Sequence, residues 1–194
     1  MRLLLALLLA AVPTAAFAHP GVDHVSGLVH GFMHPIGGLD HILAMVAVGV
    51  FAFVLGGRAL WLVPLSFVGM MIVGFLLGSN GIAMPYVELG IALSSIVIGG
   101  VAALRLSMPA IGAMALVGVF AVFHGHAHGA EMPIDASGLL YAAGFIFATA
   151  LLHLTGILTA TGVARLVGRY GRPVAQVAGA AFALGGIGIL LGWA

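Results

Sequence analysis

The chain has 194 residues, of which 63% are hydrophobic and only 6% are charged, and its mean hydropathy is +1.28. Soluble domains carry roughly 25% charged residues, so this composition indicates a membrane protein whose apolar surface is covered by lipid. With six arginines and no lysine the chain has no basic surface for nucleic acid, and the absence of cysteine excludes disulfides and thiolate metal sites.

The first 18 residues have the three parts of a secretory signal peptide. Arg2 provides the positive start, an apolar run covers residues 3–12, and Ala16-Phe17-Ala18 fits a cleavage site. The apolar run is too short for a spanning helix, which needs roughly 20 residues. We therefore predict residues 1–18 to be a cleaved signal peptide and residues 19–194 to be one mature domain. An uncleaved signal anchor is the alternative.

Six hydrophobic segments of about spanning length follow, separated by breaks that contain glycine, proline or serine. They cover residues 31–55, 60–78, 86–104, 110–129, 138–163 and 174–193. No long polar linker interrupts them. The predicted fold class is all-α: a polytopic membrane bundle of six transmembrane helices after a cleavable signal peptide.

The arginines predict the orientation of this bundle. If the mature N-terminus is periplasmic and the six spans alternate, five arginines fall in cytoplasmic loops: Arg58, Arg105, Arg165, Arg169 and Arg172. The periplasmic loops then contain no arginine, as the positive-inside rule requires. The expected location is the bacterial inner membrane, with both mature termini in the periplasm.

The first polar cluster lies at the start of the first span. His34, Asp40 and His41 follow His30 in a stretch interrupted by a proline and two glycines. Only sixteen uncharged residues separate His41 from Arg58, too few to cross the apolar core, so the span begins upstream and draws Asp40 below the membrane surface. A carboxylate at that depth needs a counter-charge or a bound cation.

The second polar cluster closes the fourth span. At 3.6 residues per turn, His124, His128 and Glu131 share one helical face and His126 points roughly the opposite way. Two imidazoles four residues apart, followed by a carboxylate on the same helical face, can chelate a borderline divalent cation. Because the first span starts outside and the fourth ends outside, both clusters are expected at the same periplasmic level. If the two spans are neighbours, they surround one ion.

The predicted metal ligands are therefore His34, Asp40, His41, His124, His128 and Glu131. Secondary candidates, for the metal or its pathway, are His30, His126, His153 and Glu88. For each of these a structural role is the alternative: Glu88 suits the positive end of a helix, and a buried imidazole such as that of His153 is more often hydrogen-bonded than ligating.

The two clusters resemble the signatures of the HupE/UreJ family of nickel permeases. His34, five residues and Asp40-His41 are similar to the family's first-helix motif, and residues 123–131 are similar to its fourth-helix motif. The resemblance extends over the whole chain. It implies secondary uptake of Ni²⁺, sometimes Co²⁺, for hydrogenase or urease maturation, and it implies that transport depends on His34, Asp40, His41, His128 and Glu131.

These observations predict that the protein is a permease rather than an enzyme. No cofactor is expected, since the metal is cargo. The expected partners are a divalent metal ion and the lipid bilayer, with a homo-oligomer left open. The chain has no nucleotide-binding motif, so ATP cannot drive it alone. Two alternatives remain: an intramembrane metal-dependent hydrolase using the same residues, and a metal-sensing or assembly subunit that binds ions without flux.

Overall fold

The computed structural model describes residues 23–193, with side chains from residue 27 onward, and all regular structure in that range is helical. The predicted all-α class is confirmed. The predicted signal peptide lies outside the described residues. Seven α-helices and one 3-10 turn follow in chain order: α1 Asp23–Gly37, α2 Leu39–Leu55, α3 Ala59–Ser79, α4 Val87–Ala103, α5 Ala110–Ala130, α6 Gly138–Val167, the 3-10 turn Gly168–Tyr170 and α7 Gly171–Leu190.

Each predicted span corresponds to helix in the structure. Three stretches are long and apolar enough to cross a membrane: α3, α5 and the helical run from Gly138 to Leu190 that contains α6 and α7. The pair α1 and α2 passes the same test as one broken span, bent by 81° at Gly38, whereas α4 is a shorter apolar helix. The last helix begins three residues earlier than predicted, because Pro173 is tolerated in a first turn.

Helix α2 is the centre of the bundle and packs against each of the other six helices. Its sequence is apolar around the whole circumference, which is typical of a helix buried on all sides. Met45, Val48 and Phe51 are completely buried within the main hydrophobic core. At its N-terminal end Leu39 is exposed, whereas His41, two residues further on, is buried in the bundle.

Helices α3 and α5 form the closest pair, and glycine makes their approach possible. The backbone of α5 passes so near Gly74 and Gly78 that a Cβ on either would overlap the carbonyl oxygen of Val122 or His126, respectively. Small residues allow this kind of contact between helices in lipid. Because the contact position advances in step along both helices, α3 and α5 run in the same direction, as the second and fourth of six alternating spans must.

The last helix turns back along the bundle. Phe182 of α7 packs near Val50 of α2, and Gly185 packs near Leu43. The contact moves towards the start of α2 as α7 proceeds, so these two helices are antiparallel. Helix α6 runs in the same direction as α1 and α2, because Gly31 contacts Tyr141 and Gly49, further along, contacts His153. The chain therefore reverses direction at the 3-10 turn Gly168–Tyr170, where three of the arginines cluster: Arg165, Arg169 and Arg172.

The glycine contact between α3 and α5 provides a stability test. We expect Gly74→Ala to lower the thermal unfolding temperature of the detergent-solubilised protein, since overpacking of a close contact costs about 1–3 kcal/mol. Gly69→Ala, on the same helix, is the control because an added Cβ there meets no atom within 4 Å. Equal unfolding temperatures for the two variants would contradict the close contact.

Candidate metal centre

The helix break at Gly38 positions the first pair of polar residues. Asp40 lies in the first turn of α2, where the positive end of the helix dipole favours a carboxylate. Its Oδ1 accepts hydrogen bonds from the backbone amide of His41 at 2.8 Å and from the His41 ring nitrogen Nδ1 at 2.9 Å. A Cβ at position 38 would stand only 2.6 Å from that oxygen, so a glycine is needed beside the pair.

The second polar group comes from the last turns of α5. Gly125 and Gly129 face the backbone of α3. His124 and His128, each one residue earlier, therefore lie on the adjacent face of α5. Both imidazoles are fully buried, with 0% of their surface exposed. His126 points away from them, and its Nε2 lies 2.7 Å from the carbonyl oxygen of Ile82 in the loop after α3. This hydrogen bond gives His126 a structural role.

The structure brings the two groups together although α2 and α5 have little direct contact. One nitrogen from each of His34, His41 and His128 lies within 4.8 Å of the other two. Around a tetrahedral ion with metal–nitrogen bonds of about 2.1 Å, neighbouring ligand atoms are about 3.4 Å apart. The three nitrogens would therefore have to approach one another by at most about 1.4 Å to bind a single cation.

Several ring nitrogens in this cluster have no hydrogen-bond partner among the described residues. They are Nε2 of His41 and both nitrogens of His128. Buried polar groups are normally hydrogen-bonded, so an orphaned nitrogen indicates a missing partner. For His41 the geometry is more specific: Asp40 holds Nδ1 as the protonated nitrogen, which leaves the Nε2 lone pair free. A carboxylate behind a histidine is the usual support of a metal-binding imidazole.

His124 extends the row of imidazoles inward. Its ring centroid lies 4.8 Å from that of His41, and its Nε2 lies 2.9 Å from the hydroxyl of Ser94 on α4. Ser94 has one hydroxyl hydrogen, which it donates to the carbonyl oxygen of Ile91. The Nε2 of His124 must then donate to Ser94, and its Nδ1 keeps a free lone pair.

A vestibule reaches the three-imidazole cluster at His34. Its volume is about 410 Å³, and one water molecule takes about 30 Å³ of liquid, so a hydrated cation fits. Exposed His30 and the side chains of His34, Glu131 and Tyr141 line it. Glu131, the residue that ends α5, places Oε2 3.4 Å from Nε2 of His34. The carboxylate thus stands at the entrance.

Two secondary candidates lie elsewhere. Glu88 is exposed in the first turn of α4, the position that suits a carboxylate at a helix start. His153 is buried near the middle of α6. Neither belongs to the group of three imidazoles whose ligand atoms converge.

Sequence reasoning missed two residues that the structure places at the centre. Ser94 hydrogen-bonds His124, and the hydroxyl of Tyr141 is buried without a partner in the described part of the chain. Each lies in an apolar helix with no metal-binding motif around it, although Ser94 is followed by a second buried serine, Ser95. These two residues are identified only by their proximity to the histidines in the folded structure.

An apolar helical bundle with histidines and carboxylates converging at one end defines an integral membrane protein with a candidate divalent-metal centre. Residues 6–190 match the family model described as HupE / UreJ protein. The chain is also similar to protein HupE of Rhizobium leguminosarum bv. viciae, with 46% identity over 182 residues that cover 94% of this chain and 93% of that protein. No solved structure matches.

The chain therefore belongs to the HupE/UreJ family. The resemblance seen in its two motifs is confirmed. Membership places it among transporter-type membrane proteins tied to nickel and cobalt handling for hydrogenase or urease.

The glycine at the helix break allows a sharp test of the centre. We expect Gly38→Ala to displace the Asp40 carboxylate from His41 and to lower Ni²⁺ affinity by about tenfold or more, the usual effect of losing such a support. Gly37→Ala is the matched control, because a Cβ there meets nothing within 4 Å. Isothermal titration of the purified proteins with Ni²⁺ measures both. Equal Ni²⁺ affinities of the two variants would show that Asp40 does not support metal binding by His41.

Proposed function

We propose that the protein is a permease that takes up Ni²⁺ or Co²⁺ from the periplasm and supplies it for hydrogenase or urease maturation. The observation that carries this proposal is the convergence of His34, His41 and His128 beneath an open vestibule. The three imidazoles come from two separate parts of the chain, and buried nitrogens among them have no partner in the described residues.

The chemistry of the donor atoms supports nickel or cobalt as the substrate. Neutral imidazole and carboxylate suit Ni²⁺, Co²⁺ and Zn²⁺, whereas thiolate favours Cu⁺, and this chain has no cysteine. Membership of the family favours nickel and cobalt over zinc.

The layout of the centre suggests an order of events. A hydrated cation enters the vestibule and is attracted by Glu131, whose side chain is 54% exposed. It then exchanges water for the imidazole of His34 and the buried imidazoles of His41 and His128. Asp40 keeps the Nε2 lone pair of His41 directed away from the carboxylate throughout.

Inward movement needs no nucleotide. Each positive charge gains about 2.3 kcal/mol per 100 mV on entering a negative-inside compartment, so a divalent cation gains about 4.6 kcal/mol per 100 mV. The arginines at the opposite ends of the helices support this direction through the positive-inside rule, because they predict that the cluster faces the periplasm.

Uptake into proteoliposomes tests the proposal. With an inside-negative potential, the wild-type protein is expected to accumulate Ni²⁺ without any hydrolytic product. Glu131→Gln should reduce initial uptake at low Ni²⁺ by about tenfold, the scale on which groups beside a metal act. Asp135→Asn is the control, since it removes an exposed carboxylate from the same loop, and it should leave uptake unchanged.

Two outcomes would contradict the proposal that the protein is a permease. Binding of Ni²⁺ by wild-type protein with no flux would favour a sensing or assembly subunit. Release of a cleaved lipid or peptide product, again with no flux, would favour the hydrolase.

The pH dependence of uptake tests the imidazoles as ligands. Only the neutral ring can bind metal, and the ordinary pKa of a histidine side chain is about 6.5. Acidification protonates the rings, so uptake should be highest above this pH and should fall as the external pH drops below it. The measurement is initial Ni²⁺ uptake from pH 7.5 to 5 at constant membrane potential. A flat profile over that range would count against histidine ligation.

A further inference from the structure

One buried tyrosine beside the three-imidazole cluster has a hydroxyl group that is left unsatisfied. Tyr141 is 1% exposed, and its buried hydroxyl oxygen has no hydrogen-bond partner among the described residues. The hydroxyl of a buried tyrosine usually finds such a partner, because an unsatisfied polar group inside an apolar bundle is unfavourable. The hydroxyl of Tyr141 therefore indicates a missing partner, as do the orphaned imidazole nitrogens of the cluster.

Three helices hold this tyrosine in place. Tyr141 lies in the first turn of α6, and its backbone passes so near Gly31 of α1 that a Cβ there would overlap the carbonyl oxygen of Tyr141. Its ring stacks near Phe75 of α3 with centroids 6.4 Å apart, and the ring of Phe145, one turn further along α6, lies 6.0 Å away. A ring packed on several sides has little freedom to turn, so the position of its hydroxyl is fixed before any ligand arrives.

Tyr141 is one of four polar residues in the wall of the vestibule. The others are His30, His34 and Glu131. The ring centroid of Tyr141 lies 6.3 Å from that of His34, yet no hydrogen bond joins its hydroxyl to this imidazole. Tyr141 thus adjoins both the open volume of about 410 Å³ and an imidazole of the cluster.

The chemistry of a partly hydrated cation matches this unsatisfied hydroxyl. Three imidazoles leave at least one coordination position on a divalent ion, and a water molecule fills it when no fourth protein ligand is present. The ion polarises its bound water, which becomes a stronger hydrogen-bond donor. A phenolic oxygen can accept that hydrogen bond. Because the water extends the reach of the ion to about 5 Å, the hydroxyl need not touch the metal.

We infer that Tyr141 is a positioning residue of the metal centre, whose hydroxyl holds a water molecule that the divalent cation keeps when it binds the three imidazoles. The hydroxyl acts through that water and forms no bond to the metal. It stabilises the ion at the step where the ion leaves the vestibule and has lost part of its hydration shell. This inference rests on the proposed uptake function and adds Tyr141 to its binding step.

The substitution Tyr141→Phe separates the hydroxyl from the packing of the ring. It removes one oxygen atom and keeps the aromatic contacts with Phe75 and Phe145. Because that oxygen has no partner in the described chain, the unfolding temperature of the metal-free variant should equal or exceed that of the wild type. Tyr86→Phe is the matched control, since it removes the same atom from a tyrosine that is 77% exposed at the start of α4.

The expected results concern binding, flux and direct ligation separately. In isothermal titration Tyr141→Phe should bind Ni²⁺ about tenfold more weakly, the scale on which groups beside a metal ligand act. In proteoliposomes its half-saturating Ni²⁺ concentration should rise by about the same factor. Its maximal rate should stay unchanged, because the centre still fills at high Ni²⁺. Tyr86→Phe should match the wild type in both measurements.

The water-mediated contact has its own spectroscopic test. Cu²⁺ binds strongly to sites made of imidazole, so it serves as a coloured probe of the same centre. Wild-type protein loaded with Cu²⁺ should show no phenolate-to-copper charge-transfer absorption, because the hydroxyl of Tyr141 reaches the ion only through water.

Three results would overturn the inference. They are a wild-type Ni²⁺ affinity in Tyr141→Phe, a lower unfolding temperature of that variant without metal, and a phenolate-to-copper absorption that is lost on Tyr141→Phe. The first removes the hydroxyl from metal binding, the second assigns it to the fold, and the third makes it a direct ligand. A failure of the proposed function is different, because wild-type protein then shows no uptake at all. In that case the titration of wild type and Tyr141→Phe with Ni²⁺ still decides whether the hydroxyl supports metal binding.

Discussion

The close contact between α3 and α5 determines much of the rest of the structure. Glycines at four-residue intervals on both helices let the two backbones touch. That contact occupies one face of the last turns of α5, so His124 and His128 are turned towards α2 and α6. Without this contact the rotation of α5 about its own axis would not be set, and His124 and His128 would not be held beside the imidazoles of α1 and α2. In residues 123–131 the glycines thus provide the helix contact and the histidines provide the candidate metal ligands.

A second constraint acts where α1 meets α2. In lipid every backbone polar group needs a partner, and helices are interrupted only where the break lines a cavity or is buried in protein. The bend of 81° at Gly38 satisfies this condition, because the vestibule lies beside it. The same bend exposes the start of α2, where the helix dipole and two hydrogen bonds hold Asp40 against His41. The break therefore supplies both the entrance and an oriented imidazole.

The imidazoles differ in their support, which suggests different tasks. His41 is oriented by a carboxylate and His124 by the Ser94 hydroxyl, whereas His128 and His153 have no hydrogen-bond partner in the described chain. A permease must bind its ion firmly enough to remove water and loosely enough to release it. For the proposed uptake, the oriented imidazoles favour capture, and the unsupported imidazole of His128 leaves more freedom for transfer.

The sequence by itself determined the helices, their approximate bounds and the residue types of the candidate centre. Apolar runs of spanning length must be helical in lipid, and a chain with so few ionisable groups leaves few candidates for chemistry. Helical periodicity also separated His126 from His124 and His128. Only the tertiary structure decided that Asp40 stands behind His41, that Ser94 and Tyr141 join the centre, and that His153 lies outside it. These relations depend on how helices distant in the chain pack and at what depth, and a pattern of residues along one helix carries no information on either.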